Sequence, residues 1–227
     1  MNQGRHAFVS GVSSGIGLSI AQTLLEGGWQ VTGISRRAPE IAHPGLRHLP
    51  ADLMDVDALS AALACVGPVD AIIHAAGVLR VGHLGQLDSE NGRTMWQLHV
   101  VAAEQIINGL VGSMIDGGRV VLIGSRTAAG SAGKSQYAAS KAAMVGMARS
   151  WAAELASRRI CVNVVAPAAT DTPMLRDPGR AGVQPKLPPM GRLVTPEEIA
   201  ATVAFLLTDG ARSITGQQII VCGGSSL

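Results

Sequence analysis

Seven short β-branched or apolar runs alternate with helical stretches along the whole chain, and this alternation constrains the fold more than any other feature. The runs are "HAFVS" (6–10), "WQVTGIS" (29–35), "LRHLP" (46–50), "DAIIHAA" (70–76), "RVVLIGS" (119–125), "ICVNVVAP" (160–167) and "QQIIVCGG" (217–224). Between them, residues 15–27, 55–65, 93–115, 135–157 and 196–208 have helical composition and period. Strands that return through helices imply right-handed crossovers and a parallel sheet. The predicted class is α/β, a doubly wound seven-stranded parallel sheet with helices on both faces.

No internal repeat, low-complexity tract or long linker divides the 227 residues, so residues 1–227 read as a single domain. With 47% hydrophobic and 15% charged residues, the chain can bury a large core. A net charge of +2, with Lys and Arg scattered, offers no footprint for nucleic acid or an anionic membrane. No apolar run reaches the roughly 18 residues of a membrane span, and the first residues lack the apolar core of a signal peptide. These features predict a soluble, cytoplasmic protein with a small-molecule partner. Cys65, Cys161 and Cys222 lie far apart without C-x-x-C spacing and read as small buried hydrophobes, not metal ligands. The segment 171–192 holds five prolines and no clear period, which marks it as a substrate-binding lid.

After the first run comes "SGVSSGIG" (10–17), followed directly by a helix. Gly11, Gly15 and Gly17 permit a tight turn and a close approach of backbone to a pyrophosphate, as in Rossmann folds, and the helix N-terminus offers free N–H groups. A ligand-free turn also produces such patterns, so the strand-to-helix position carries the argument. The second run ends in Ser35-Arg36-Arg37, where an acid would bind the ribose 2′-hydroxyl of NAD. A guanidinium in its place favours the 2′-phosphate of NADP(H), with NAD(H) still possible. Two solvated surface arginines are the plainer alternative.

"SQYAASKAAM" (135–144) carries the only tyrosine of the chain, Tyr137, four residues before Lys141. On a helix these share a face. Ligands of open parallel sheets bind outside the carboxyl ends of the strands. The unusual residues fall there: Gly11–Gly17 after the first strand, Arg36 after the second, Asp52 after the third, Ala75–Gly77 after the fourth, Ser125 at the fifth and "PAATDT" (167–172) after the sixth.

On these pieces the chain resembles the compact, single-domain short-chain dehydrogenase/reductases. The matching segments are "SGVSSGIG", "ADL" (51–53), "HAAG" (74–77), Ser125, "YAASK" (137–141), "VNVVAPAATDTPM" (162–174) and "GRLVTPEEIAATVAFLLTDGARSITGQQIIVCGG" (191–224), which together cover nearly the whole chain. Ser125 stands 12 residues before Tyr137. The resemblance implies an NADP-dependent oxidoreductase acting on a ketone or secondary alcohol. Tyr137 would be the general acid/base, its phenol tuned from a free pKa near 10 by the Lys141 ammonium. Lys141 would also hold the nicotinamide ribose, and Ser125 would bind the substrate oxygen. Gly11, Ser13, Ser14, Gly15, Ile16, Gly17, Arg36, Asp52, Leu53, Ala75, Ala76, Gly77, Pro167, Thr170 and Thr172 complete the implied cofactor site. The helices at 93–115 and 135–157 would join subunits into a homotetramer or dimer.

Three positions depart from the family pattern. His99 stands where an asparagine normally supports the proton relay, and two readings stay open: a substitute relay group, or a satisfied core histidine. His74 replaces the first asparagine of an "NNAG" turn and reads as structural; Ala168 replaces a glycine. Local segments also resemble 2,3-dihydro-2,3-dihydroxybenzoate dehydrogenases, which are NAD-dependent, and 3-oxoacyl thioester reductases, which fit the NADP reading better. Arg80, Arg126 and Arg176 either face the pocket mouth toward an anionic substrate or are surface residues. A non-catalytic cofactor-binding sensor on the same fold is the competing class, opposed by the intact Ser125, Tyr137 and Lys141.

Overall fold

The computed structural model describes residues 4–178 and 186–227. Seven parallel strands form one sheet: β1 (His6–Ser10), β2 (Gln30–Ser35), β3 (Leu46–Pro50), β4 (Ala71–His74), β5 (Arg119–Ile123), β6 (Cys161–Pro167) and β7 (Gln218–Val221). Their order is β3-β2-β1-β4-β5-β6-β7. The order reverses between β1 and β4, where the chain crosses from β3 back to the middle of the sheet. That switch point opens a crevice at the carboxyl ends of both strands.

Alternation along each strand assigns the two faces. Ala7, Val9, Ile73, Val121, Ile123 and Val165 pack under α1 (Gly15–Glu26) and α6 (Pro196–Leu206). Phe8, Ile72, Val120, Leu122, Val162 and Val164 pack under α2 (Val56–Ala64), α4 (Ala102–Leu110) and α5 (Ser135–Leu155). Burial on both sides explains why these strands read as unbroken apolar runs. At α6, the Thr195 hydroxyl accepts from the Glu198 N–H while the Glu198 carboxylate accepts from the Thr195 N–H, and Pro196 takes the first helical position.

The structure corrects the sequence reading in two places. The helix expected at 93–115 is α3 (Ser89–Trp96), a π-turn (Gln97–Val101) and α4. It starts earlier because the Asp88 carboxylate caps the N–H groups of Glu90 and Asn91. Of the cysteines, Cys161 is buried, Cys222 is intermediate and Cys65 is exposed. Cys65 sits at the C-terminal cap of α2, past the face that packs on the sheet. Within the expected lid, residues 179–185 lie outside the described residues. Its two ends meet, with the Asp171 N–H donating to Val194 O at 2.9 Å and the Val194 N–H to Ala169 O at 3.1 Å. No described helix is long and apolar enough to cross a membrane.

Candidate active site

Gly11 and Gly17 bring the first turn close against the sheet. A Cβ on Gly11 would lie 2.8 Å from the Ala76 backbone, and one on Gly17 would lie 2.3 Å from the Gly11 carbonyl oxygen. Only hydrogen fits at either position. The N-terminus of α1 has no side-chain cap at Ser14 and no acid in its first turn, which leaves its positive end open to an anion. Beside it lies a cleft of about 550 Å³, lined by Ser13, Ser14, Gly15, Arg37, Asp171 and Pro173 among others. The Thr172 side chain packs over this loop, its Cγ2 lying 3.2 Å from where a Gly15 Cβ would stand.

Arg36 is largely exposed and lies 3.9 Å from the Asp52 carboxylate. Arg37 lines the cleft itself, a residue that sequence reasoning passed over in favour of its neighbour. The preceding Ser35 turns inward. Its hydroxyl donates to Arg37 O at 2.7 Å and accepts from His48 Nε2 at 3.1 Å; that ring N–H also reaches Ser35 O, which fixes it as the donor.

At the other end of the crevice, α5 places Tyr137 and Lys141 on one face. The Lys141 ammonium is buried, lies 5.9 Å from the Tyr137 ring centroid, and donates to Ile123 O at 2.8 Å. That bond ties α5 to the end of β5, two residues before Ser125. Burial pushes the Lys141 pKa down to about 7. The Ser125 hydroxyl is buried, accepts from the Thr127 N–H at 3.2 Å and lies 2.7 Å from the Thr127 hydroxyl.

His99 sits in the π-turn, fully buried and edge-on to Tyr137. The Val78 N–H donates to its Nε2 at 3.1 Å, so Nδ1 carries the proton and donates to Ser140 Oγ at 2.9 Å. Ser140 in turn donates to Tyr137 O. Burial, with the Lys141 charge added, holds the imidazole well below its usual pKa. Both nitrogens of His99 therefore have partners.

Thr170 is buried, and its hydroxyl donates to Ala168 O at 3.1 Å. Thr172 uses its own on Thr170 O at 3.3 Å. Arg80 forms a half-buried ion pair with Asp177 at 3.2 Å, and Arg176 an exposed one with Asp171. Among the described residues no group of three or more His, Cys, Asp or Glu side chains could hold a metal ion.

A doubly wound sheet with a glycine turn at its switch point and a Ser, Tyr and Lys set at its carboxyl edge defines a class: dinucleotide-fold oxidoreductases. Known proteins agree. The family model described as enoyl-(acyl carrier protein) reductase matches residues 11–226. A 3-oxoacyl-[acyl-carrier-protein] reductase of Salmonella typhimurium is 33% identical, covering 98% of this chain and 97% of that one. A 2,3-dihydro-2,3-dihydroxybenzoate dehydrogenase of Escherichia coli is 35% identical, covering 99% and 98%. Among solved structures, a blue fluorescent protein from a metagenomic library, in complex with NADPH, superimposes with a TM-score of 0.88 at 31% identity over 99% of both chains. A short-chain dehydrogenase family protein from Francisella tularensis superimposes with a TM-score of 0.90 at 28% identity, over 98% of this chain and 99% of that one. The chain belongs to the short-chain dehydrogenase/reductase family of oxidoreductases.

Proposed function

We propose that this protein is an NADP(H)-dependent oxidoreductase that interconverts a ketone and a secondary alcohol. The observation that carries the reading is the Lys141 bond to Ile123 O, which locks the Tyr137 helix against the strand end that bears Ser125. The residues at the glycine turn fit a dinucleotide: the uncapped α1 N-terminus for the pyrophosphate, the Gly11 contact with Ala76 for close approach, and Arg36 with Arg37 for a 2′-phosphate. When bound, the nicotinamide supplies the hydride.

In the reductive direction Ser125 donates a hydrogen bond to the substrate oxygen and orients it. Tyr137 transfers its phenolic proton to that oxygen as the alcohol forms; oxidation reverses the transfer. Lys141 holds the phenol and the cofactor ribose in register. Its buried amine gains charge more readily once an anionic cofactor lies beside it. His99, neutral and with both nitrogens engaged, positions Tyr137. Segment 171–192 covers the substrate; Asp171 and Pro173 at its start line the cleft beside the glycine turn, which supports that role. The chain acts as a homo-oligomer; Trp96, Met54 and Val56 expose apolar surface beside the helices that would join subunits.

The test is a panel of ketones and secondary alcohols assayed with NADPH and NADH in parallel. NADPH-dependent turnover that Tyr137→Phe abolishes supports the reading. Absence of turnover across the panel, or equal rates in the phenylalanine variant, would sink it. Light scattering on the same preparation checks the assembly; a monomer at micromolar concentration refutes it.

A further inference from the structure

His74 and His99, the two buried departures from the family pattern, are joined through one backbone carbonyl. In a regular α-helix the Ala102 N–H would donate to Leu98 O, four residues back. In the π-turn it donates to Gln97 O instead. Leu98 O thereby gives up its α-helical donor in a partly buried setting, a loss that favours reversion to α geometry. His74 Nε2 supplies the missing donor at 3.1 Å.

The rest of the bonding fixes the direction of every proton. A carbonyl only accepts, so His74 carries its proton on Nε2 and leaves Nδ1 as acceptor. The Ser10 hydroxyl donates to that Nδ1 at 2.9 Å and accepts from the N–H groups of Ala75 and Ala76 at 3.1 and 3.2 Å. His99 holds the opposite tautomer, with Nε2 accepting from Val78 and Nδ1 donating to Ser140. The two rings thus run in series from β1 and β4, through the π-turn, to the helix of Tyr137. Reversion of that turn would rotate the flanking helices against each other by about 100°, one residue's share of an α-helical turn, and carry His99 off its partners.

We propose that His74 is a positioning residue for the active site: its hydrogen bond to the Leu98 carbonyl holds the π-turn in which His99 is presented to Val78, Ser140 and Tyr137. The proposal rests on the functional reading above only for its kinetic consequence. Its structural core is the paired tautomers, which need no substrate to observe.

The experiment uses the full chain with ¹⁵N-labelled histidine and reads ring tautomers by NMR. In the wild type at about pH 7, His74 is expected as the Nε2–H form and His99 as the Nδ1–H form; either ring in the other tautomer, or charged, overturns the proposal. In His74→Leu the His99 signals should shift or broaden, and kcat should fall about tenfold, the size of one lost buried hydrogen bond. KM for NADPH should change less than kcat, since the Ser10 hydroxyl keeps its bonds from the Ala75 and Ala76 N–H groups beside the glycine turn. His74→Gln, whose amide N–H can reach the same carbonyl, should restore most of both. Leu206→Ala, a core change under α6 on the opposite face, should lower Tm without moving the His99 signals. Unchanged His99 signals in His74→Leu, or an equal change in Leu206→Ala, would refute positioning. If His74→Leu does not fold, the wild-type tautomers and His74→Gln still decide. A carbonyl panel without turnover would sink the functional reading and leave the tautomer test standing.

Discussion

The His99 imidazole meets the Tyr137 phenol ring edge to face, with centroids 5.5 Å apart and planes inclined at 83°. Opposed quadrupoles make this arrangement favourable, and it restrains the plane of the phenol from the buried His99 side. Both nitrogens of His99 are engaged with Val78 and Ser140, and the ring meets the phenol through its edge-to-face contact.

Tyr137→Phe keeps this contact and removes only the hydroxyl. Turnover should fall by roughly a hundredfold or more, the usual contribution of general acid catalysis, while NADPH affinity measured by fluorescence titration changes little. A large loss of affinity would place Tyr137 in binding instead.

His99→Asn should leave the acid limb of the pH–rate profile where it is. An asparagine can accept from the Val78 N–H and donate to Ser140 Oγ, the two roles His99 fills. Since the histidine is held neutral well below its ordinary range, it contributes no ionisation near neutrality for the variant to lose. A shifted limb would assign His99 to the proton relay.

Acid should destabilise the fold through the two histidines. Burial, and then the Lys141 charge, lowers His74 to about 3 and holds His99 well below its usual 6.5. Below the unfolded value of about 6.5 the unfolded chain binds protons that the folded chain refuses. Stability is therefore full above that pH and is lost as pH falls toward 3. Between about pH 7 and 5 the loss should be on the order of 2 kcal/mol per histidine. Denaturant melts of the wild type and a His74→Asn/His99→Asn double variant measure it, the variant showing a flatter acid slope.

Arg36→Ala and Arg37→Ala should each reduce the preference for NADPH over NADH. A charge-assisted bond to a 2′-phosphate contributes about 1.5–3 kcal/mol, so kcat/KM for NADPH should drop roughly tenfold or more with the NADH value unchanged. Equal losses with both cofactors would show that the arginines act on something the cofactors share.

Gly17→Ala should impair folding or cofactor binding more than Gly146→Ala. The added Cβ at 17 meets the Gly11 carbonyl oxygen at 2.3 Å, backbone that cannot step aside, whereas at 146 it meets nothing within 4 Å. Tm and NADPH titration of the two variants give the comparison; equal behaviour would contradict the tight packing of the turn.

Much of this was legible in the sequence because it is local. A buried parallel strand must be apolar on both faces, so "HAFVS" marks β1 to the residue, while "LRHLP" matches the half-exposed edge strand β3 in its bounds. Tyr137 and Lys141 share a face because four residues make about one turn. The Asp88 cap was also present in "DSEN" and reads clearly once the helix start is known.

By itself, then, the sequence determined the parallel doubly wound sheet, the glycine turn and the Tyr–Lys pair, each set by periodicity or spacing within a short stretch. Only the tertiary structure decided which arginine lines the cleft, that Thr170 and Thr172 use their hydroxyls on backbone, and which groups His74 and His99 bond. The π-turn has no spacing of its own in "WQLHVV", and the histidine that bonds Leu98 O lies 24 residues earlier, brought alongside by β4. Hydrogen bonds between distant segments depend on where the fold places each donor, and no local pattern of residues records that.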